Sequence, residues 1–320
     1  MSVNGARPSL LKRLRRRWRQ RAGVTICVPA YMAAGFIAET LQSISGQTYR
    51  NIKVLISVDP STDDTIEVCR PFLADPRFSL VSQPKRLGWP GNVNYLLDQV
   101  RTDYFCIVLH DDLIDPDYVA RLMRALRRAP STICAYPLMQ RFGQAPSLAS
   151  IASVTGDPYA RAMAFLARPL NAVALRGVTR SAVLRGGQRL RDLGTGGFFA
   201  EFLWAFELAL LGDCRRVRRT RYHSRYRADS VSKGWRAWSA DRKRTGWREL
   251  LRQFNAAAAR QNFTEEQRST LLEAMLRWAY QLQSWLPASA AERSAIADPA
   301  KLAAMARAWR DNPDGAPPFL

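Results

Sequence analysis

The sequence predicts an α/β fold with a central parallel sheet, followed by a helical region. Between residues 24 and 113, apolar runs rich in β-branched residues alternate with helix signals, and these runs span 24–28, 52–58, 78–81 and 104–109. Runs this apolar are typical of parallel strands that are buried on both faces. From residue 235 onward the apolar periodicity is helical throughout, which predicts a helical C-terminal appendage.

A helix signal follows each of these predicted strands. The predicted helices span 33–45, 63–74, 92–100 and 116–128. Pro116 suits the first turn of the last helix, because a missing amide proton costs little at that position. The alternation of strand and helix predicts an α/β fold with a parallel sheet.

After residue 130 the pattern becomes less regular. A fifth strand is predicted over 135–139, a loop over 140–150 and a helix over 157–167. A glycine-rich passage then leads to an amphipathic helix over 198–211 and a strongly basic strand over 216–227. We therefore expect three parts. Their predicted ranges are 1–22 for a basic amphipathic helix, 23–232 for the α/β domain and 233–320 for the helical region.

The first 22 residues combine an apolar stripe with a high positive charge. As a helix, Leu10, Leu11, Leu14 and Trp18 would form one face beneath a collar of arginine and lysine. This pattern predicts peripheral contact with an anionic membrane, and a solvated tail or nucleic-acid contact are the alternatives. We expect a cytoplasmic protein at the inner face of the membrane.

The net charge of +21 makes nucleic acid the first partner to consider. No recognisable nucleic-acid-binding module accompanies the charge, so this partner is predicted to be unlikely. The chain shows neither a long uncharged apolar stretch nor the apolar core of a signal peptide. Its five cysteines are scattered singly, without zinc-ligand spacing, which indicates an intracellular protein without disulfides.

Polar residues follow the ends of the predicted strands. Tyr31 comes after the first strand, Asp59 after the second, and Asp111 and Asp112 after the fourth. In parallel sheets of this kind the ligand crevice lies outside the carboxyl ends of the strands. The four side chains are therefore expected to gather at one edge of the sheet.

Four motifs in this order resemble the nucleotide-binding half of a family-2 glycosyltransferase, an inverting enzyme with the GT-A fold. They lie within residues 25–116 and cover the opening strand (26–31), the end of the first helix (43–49), an aspartate-rich turn (58–65) and the metal motif (109–112). After residue 126 the resemblance is confined to short patches. It implies a hexosyltransferase-like enzyme that uses a nucleotide-sugar donor, with UDP or dTDP favoured.

The resemblance also implies roles for individual residues. Those assigned to nucleotide binding are Pro29, Ala30, Tyr31, Asp59, Arg86, Asn94, His110 and Asp111. Asp111 and Asp112 are expected to bind Mg²⁺ or Mn²⁺, which neutralises the leaving diphosphate. Arg225 and Arg227 correspond to an Arg-x-His motif and are expected to contact the diphosphate.

A catalytic base is expected at the start of the predicted 198–211 helix. Glu201 stands where the family usually has aspartate, and such a base removes the proton of the attacking hydroxyl. Glu207 is the rival, but it lies nearly two helical turns farther along. 

Several of these residues also have a structural interpretation. Tyr31 and Trp89 can anchor their loops, Asp59 can form an Asx turn, and His110 can be a hydrogen-bonding partner. For Asp115 we prefer the interpretation that it caps the helix that follows.

The sequence departs from the family pattern at three positions. Val58 and Leu109 replace acidic residues of the aspartate-rich turn and the metal motif, and Arg227 stands where the family has histidine.

The resemblance as a whole predicts an inverting transfer to a hydroxyl acceptor, with a lipid-linked acceptor in polysaccharide, lipopolysaccharide or glycolipid assembly. The alternatives are a nucleic-acid-binding basic protein and a catalytically degenerate homologue that binds nucleotide sugar without turnover.

Overall fold

The computed structural model describes most of the chain between Ala22 and Asn312. The described ranges are 22–144, 146–149, 151–167, 172–197, 199–227, 234–235, 237–281 and 288–312. The predicted amphipathic helix of residues 1–22 lies outside them except for Ala22, as does the predicted boundary at 232/233. Both stay predictions.

One nine-stranded sheet forms the centre of the protein. Its strands are β1 (Val24–Ala30), β2 (Ile52–Val58), β3 (Phe78–Ser82), β4 (Tyr104–Ile107), β5 (Leu113–Ile114), β6 (Thr132–Gly143), β7 (Ser147–Ala149), β8 (Val178–Arg180) and β9 (Asp213–Tyr226). The order across the sheet is β3-β2-β1-β4-β8-β6-β9-β5, with β7 paired to β6. The first four strands pair in parallel, as predicted, whereas β8 pairs antiparallel with both β4 and β6.

Helices cover both faces of the sheet and continue into the C-terminal region. They are α1 (Ile37–Ser45), α2 (Thr65–Cys69), α3 (Gly88–Asp98), α4 (Tyr118–Arg128), α5 (Pro158–Leu166), α6 (Ala182–Arg185), α7 (Ala200–Leu211), α8 (Ala240–Ala259), α9 (Glu265–Gln281), α10 (Ala290–Ala297) and α11 (Pro299–Asp311). Short 3₁₀ helices occupy Arg70–Ala74 and Ala172–Arg176. None of the helices described here has the length and apolarity needed to cross a membrane.

The prediction of a loop over 140–150 is wrong. β6 continues to Gly143, where it pairs with β9 as far as Tyr226, and β7 pairs with its other edge. This part of β6 is only partly buried, so it shows no apolar run that would have marked it as a strand.

The helix predicted over 198–211 is present, but the prediction that it is amphipathic is wrong. α7 begins at Ala200, and all but two of its residues are buried: Glu201 is half-buried and Leu211 is exposed. The C-terminal helices cover the face that a two-layer fold would leave to solvent. The Phe206 ring of α7 stacks on the Phe254 ring of α8 at 4.3 Å between centroids.

The C-terminal helices share a hydrophobic core with α7 and α5. The Trp278 ring of α9 lies 5.5 Å from the Phe202 ring and 5.3 Å from the Phe254 ring. Trp278 and Tyr280 are buried members of this core. The five cysteines are buried free thiols.

Candidate active site

The carboxyl ends of β1, β2 and β4 meet at one edge of the sheet. Ala30 of β1 aligns with Val58 of β2, and Cys27 of β1 aligns with Ile107 of β4. Because these strands are parallel, the residues that follow them emerge on the same side. The topology therefore brings Tyr31, Asp59 and the Asp111–Asp112 turn to the same edge, as expected.

Asp59 is buried and holds the start of α3. Its carboxylate accepts the backbone N–H groups of Leu87 at 3.1 Å and Gly88 at 2.9 Å. Only 2% of Asp59 is exposed, so these two charge-assisted bonds compensate for burial of the carboxylate. The Ser61 hydroxyl donates to the Asp59 carbonyl at 2.9 Å, which gives the turn a local bond as well. The role of Asp59 toward a base stays a prediction.

Tyr31 and Arg86 form an exposed platform beside this turn. The Arg86 guanidinium carbon lies 4.1 Å from the centroid of the half-buried Tyr31 ring, a close cation–π contact. Both groups offer a flat surface to a planar ligand. The structure thus brings together two of the residues predicted to bind the nucleotide.

Asp63 fastens the loop that follows Tyr31. Its carboxylate accepts the Ala34 N–H at 2.9 Å and the Thr65 hydroxyl at 2.5 Å. Burial raises the pKa of this carboxyl, but the hydrogen bonds from Thr65 and the backbone outweigh burial and bring it below its ordinary value. The loop is thereby held against β2.

The two asparagines of α3 have structural partners. The Asn94 amide donates to the Leu190 carbonyl at 2.7 Å, and its oxygen accepts the Leu190 N–H at 2.9 Å. Asn92 is buried and donates to the Ser57 carbonyl at 3.1 Å. Asn94 therefore fastens the glycine-rich passage to α3, and its predicted contact with the nucleotide stays a prediction.

His110 fixes the turn after β4 against β1. Its Nδ1 lies 3.2 Å from the Pro29 carbonyl, so this nitrogen carries the proton and donates, while the Thr40 hydroxyl donates to the His110 carbonyl at 2.9 Å. Burial lowers the pKa of the imidazole, against the opposing effect of the Asp111 charge. His110 therefore acts as a structural hydrogen-bonding partner, and Pro29 takes part through its carbonyl.

Asp111 and Asp112 differ in their surroundings. Asp112 is 1% exposed, and one of its oxygens accepts the Arg225 N–H at 2.8 Å. Burial, and then the neighbouring Asp111 charge, raise the pKa of Asp112 to about 7. Asp111 is half-buried, and its Oδ2 lies 3.5 Å from Nη1 of Arg227. Both aspartates thus face the end of β9.

Arg225 and Arg227 project from β9 over this turn. The Arg225 Nε donates to the Asp111 carbonyl at 3.0 Å, and its Nη2 donates to Glu39 at 2.7 Å. The guanidinium carbons of Arg225 and Arg227 lie 5.2 Å and 4.3 Å from the centroid of the Phe36 ring. The structure therefore places both predicted diphosphate residues beside Asp111.

The preferred interpretation of Asp115 as a helix cap is wrong. The residue before α4 is Asp117, whereas the Asp115 carboxylate accepts the Arg221 N–H at 2.7 Å and lies 2.7 Å from Nε2 of His223. The reason is tertiary, because β9 pairs with β5 and passes directly over Asp115. His223 is consequently tied to Asp115.

Glu201 lies in the first turn of α7 and is half-buried. The preceding chain bends through residues with positive φ, namely Gly196, Gly197 and Phe199. A Cβ on Gly197 would lie 2.5 Å from Cδ1 of Trp89, so this glycine allows close packing against the α3 start. Trp89, at the start of α3, therefore packs against the loop that leads into α7, the helix that carries Glu201.

The sequence analysis missed Arg176, which packs against Tyr222. Its guanidinium carbon lies 5.7 Å from the Tyr222 ring centroid. Burial lowers the pKa of the guanidinium, but the charges of Glu201, Tyr222, Asp112 and Asp111 raise it to a value above the ordinary one. Nothing in the local sequence distinguishes this arginine from the many others.

The rival Glu207 faces a different environment. Its carboxylate forms an ion pair with Arg191 at 2.7 Å and accepts a bond from Gln188 at 3.0 Å. Burial raises its pKa against these partners. This arrangement makes Glu207 a structural residue of the core and leaves Glu201 as the candidate base.

Comparisons with known proteins identify what part of the chain is similar to. Residues 25–164 match the family model described as glycosyl transferase family 2. Glycosyltransferase GlyA of Streptococcus pneumoniae is 31% identical over 32% of this chain and 15% of its own length. Chondroitin synthase of Escherichia coli is 32% identical over 35% of this chain and 16% of its own length. The chain thus spans a small part of these relatives.

Solved structures match much more of the chain. Residues 1–349 of Staphylococcus aureus TarS in complex with UDP-GlcNAc match with a TM-score of 0.66 and 13% identity, over 91% of this chain and 89% of that one. The mannosyltransferase PcManGT from Pyrobaculum calidifontis in complex with GDP-Man and Mn²⁺ gives 0.53 and 18%, over 95% and 91%. The comparisons confirm the predicted family resemblance and the GT-A fold with its helical C-terminal region.

Proposed function

We propose that this chain, which carries a glycosyl transferase family 2 domain over residues 25–164, transfers a sugar from a nucleotide-diphosphate donor to a hydroxyl acceptor with inversion at the anomeric carbon. The observation that carries this proposal is the meeting of the carboxyl ends of β1, β2 and β4 at one edge, with Arg225 and Arg227 beside Asp111. Glu201 lies in the first turn of α7. These are the groups that leaving-group departure and proton removal require.

The donor half of the site suits a nucleotide. The Tyr31–Arg86 platform offers a flat surface for a base, and the loop held by Asp59 lies beside it. TarS and PcManGT have been solved with UDP-GlcNAc and GDP-Man, which supports a nucleotide-sugar donor for this fold. UDP or dTDP is our proposal for this chain.

Glu201 would act as the base of a single displacement. Its carboxylate takes the proton of the acceptor hydroxyl while that oxygen attacks the anomeric carbon from the face opposite the nucleotide. The bond between the anomeric carbon and the diphosphate oxygen breaks, and its electron pair leaves with the nucleotide diphosphate. One displacement of this kind inverts the configuration.

A divalent cation stays a prediction from the family resemblance. Such a cation would neutralise the leaving diphosphate. Asp111, however, already faces Arg227, and Asp112 is buried with one oxygen bonded to the Arg225 amide. Among the described residues no group of three or more His, Cys, Asp or Glu side chains is arranged to hold a metal ion. As placed, the two aspartates do not form the predicted Mg²⁺ or Mn²⁺ site.

The acceptor and the cellular site are further proposals. A lipid-linked acceptor in polysaccharide, lipopolysaccharide or glycolipid assembly would suit peripheral contact of residues 1–22 with an anionic membrane. Names such as chondroitin synthase belong to relatives of which this chain covers a small part. Placement at the inner face of the membrane follows only if that contact occurs.

Two measurements test this proposal: the binding of nucleotides and the turnover of nucleotide sugars. Thermal shift with UDP, dTDP and GDP would identify the nucleotide, and release of nucleotide diphosphate from the matching donor would measure turnover. We expect stabilisation by one nucleotide and a donor hydrolysis that Glu201→Gln abolishes. Binding without hydrolysis would favour the degenerate homologue. Salt-dependent binding of duplex DNA without any nucleotide binding would favour the nucleic-acid alternative.

A further inference from the structure

We infer that a guanidinium cluster formed by Arg225 and Arg227 neutralises the donor diphosphate, so that donor binding needs no divalent cation. This inference rests on the proposed function, because it concerns the same donor site. It departs from the metal-dependent mechanism that the family resemblance implied.

The first observation is the position of Arg227. In the family's Arg-x-His motif the third residue is histidine, and this chain has arginine there. Nη1 of Arg227 lies 3.5 Å from Oδ2 of Asp111, which is the predicted metal ligand. A permanent cation therefore already faces the carboxylate that would bind the metal.

The second observation is that aromatic rings hold these arginines in place. The Arg225 guanidinium carbon lies 5.2 Å from the Phe36 ring centroid and 4.6 Å from that of Phe142, and Arg227 lies 4.3 Å from Phe36. Arg225 also donates to the Asp111 carbonyl and to Glu39. Planar guanidiniums fixed in this way are suited to bidentate contact with phosphate oxygens.

The third observation is the charge around the Asp111–Asp112 turn. Arg225 and Arg227 both approach this turn from the end of β9. The neighbouring positions that could have added oxygen ligands are apolar, since Val58 and Leu109 stand there. Two guanidiniums thus lie beside the Asp111–Asp112 turn, where they can also contact a diphosphate.

The test measures donor binding with and without metal. Isothermal titration with UDP, dTDP and GDP in EDTA, and again in Mn²⁺, would be carried out on the wild-type chain, Arg227→Gln, Arg227→Lys and Arg227→His. We expect the wild-type Kd for the preferred nucleotide to change by no more than about threefold between EDTA and Mn²⁺, and Arg227→Gln to weaken binding roughly ten- to a hundredfold in both. Arg227→Lys should recover part of the affinity in EDTA. Arg227→His, which restores the family residue, should bind weakly in EDTA and recover in Mn²⁺.

Arg219→Gln is the matched control, because it removes an exposed arginine from the same strand away from the cluster. Its Kd should equal that of the wild type. Thermal melts without nucleotide would show that each variant is folded. If wild-type binding is lost in EDTA and restored by Mn²⁺, or if Arg227→Gln binds as tightly as the wild type, the inference is overturned while the proposed function stands. If no nucleotide binds under either condition, both are overturned.

Discussion

Asp59 and Asp112 are equally buried carboxylates at the same edge of the sheet, and they have opposite surroundings. Both oxygens of Asp59 accept backbone N–H groups from the start of α3. Asp112 receives one backbone N–H from Arg225, and the Asp111 charge lies next to it. Their exposures are 2% and 1%, so burial alone does not separate them.

The difference teaches that the groups facing a carboxylate decide its role. Asp59 is matched by fixed backbone dipoles, which makes it an anchor for the donor-side loop. Asp111 instead faces the Arg227 guanidinium, and Asp112 has one backbone N–H and the Asp111 charge beside it. One wall of the candidate site, at Asp59, is therefore built by backbone N–H groups, and the other, at Asp111, by the side chains of Arg225 and Arg227.

The largest expected effect tests Glu201, the proposed base. Glu201→Gln keeps the size of the side chain but removes its ability to take a proton. We expect kcat for donor turnover to fall roughly 10²- to 10⁴-fold while donor affinity is unchanged. Nucleotide release and nucleotide titration would measure the two quantities separately.

Glu207→Gln, on the same helix, is the matched control. Glu207 pairs with Arg191 inside the core, so its loss should lower the free energy of unfolding and leave kcat nearly unaltered. An equal fall of kcat in both variants would refute the assignment of Glu201 as base.

Asp59→Asn tests the backbone-built wall. An amide presents one acceptor oxygen in place of two, so one N–H of Leu87 or Gly88 loses its partner. We expect a loss of about 2–3 kcal/mol in the free energy of unfolding and weaker nucleotide binding. Urea unfolding would measure the first effect. The exposed Asp64→Asn should change stability little, and a similar loss there would argue against a special role for Asp59.

Gly197→Ala tests the packing between Trp89 at the start of α3 and the loop before α7. A Cβ there would lie 2.5 Å from Cδ1 of Trp89, and the residue has φ +82. We expect a loss of about 2 kcal/mol, because strain and displacement of Trp89 add together. Gly187→Ala has a similar φ of +88 with no atom within 4 Å, so it should lose only about 1 kcal/mol. Equal losses in urea unfolding would show that Trp89 packing contributes nothing.

The smallest expected effect lies far from both walls, at a carboxylate that also faces a guanidinium. The hydrogen bond from Arg244 lowers the pKa of Glu292 to about 2, against the opposing effect of burial. Because the folded pKa is below the unfolded one, this stabilisation is present above about pH 4.5 and is lost as pH falls toward about 2.

Glu292→Gln should therefore be less stable than the wild type near neutral pH, by about 1 kcal/mol after allowance for solvent screening. The difference should disappear near pH 2. Urea unfolding across this range would show it. A difference independent of pH would show that the charge of Glu292 does not matter.

The α/β half of the chain could be read from its sequence because its signals are local. Strands β1 to β4 are apolar runs bounded by turn residues, and the polar residues after them needed only the parallel rule to be placed together. The motif that ends in Asp111 and Asp112 was recognisable for the same reason. Long-range contacts were not: the end of β6 is half-exposed, and α7 is covered by helices that follow it in the chain.

By itself, then, the sequence determined the fold class, the sheet edge at which the site lies and the family resemblance. Tertiary structure alone decided which groups face each carboxylate. It paired Asp115 with His223, tied Asn94 to Leu190, and placed Arg227 beside Asp111. Local runs specify strands and turns through backbone preference and apolar burial, whereas the charge around a buried group depends on chain segments that meet only after folding.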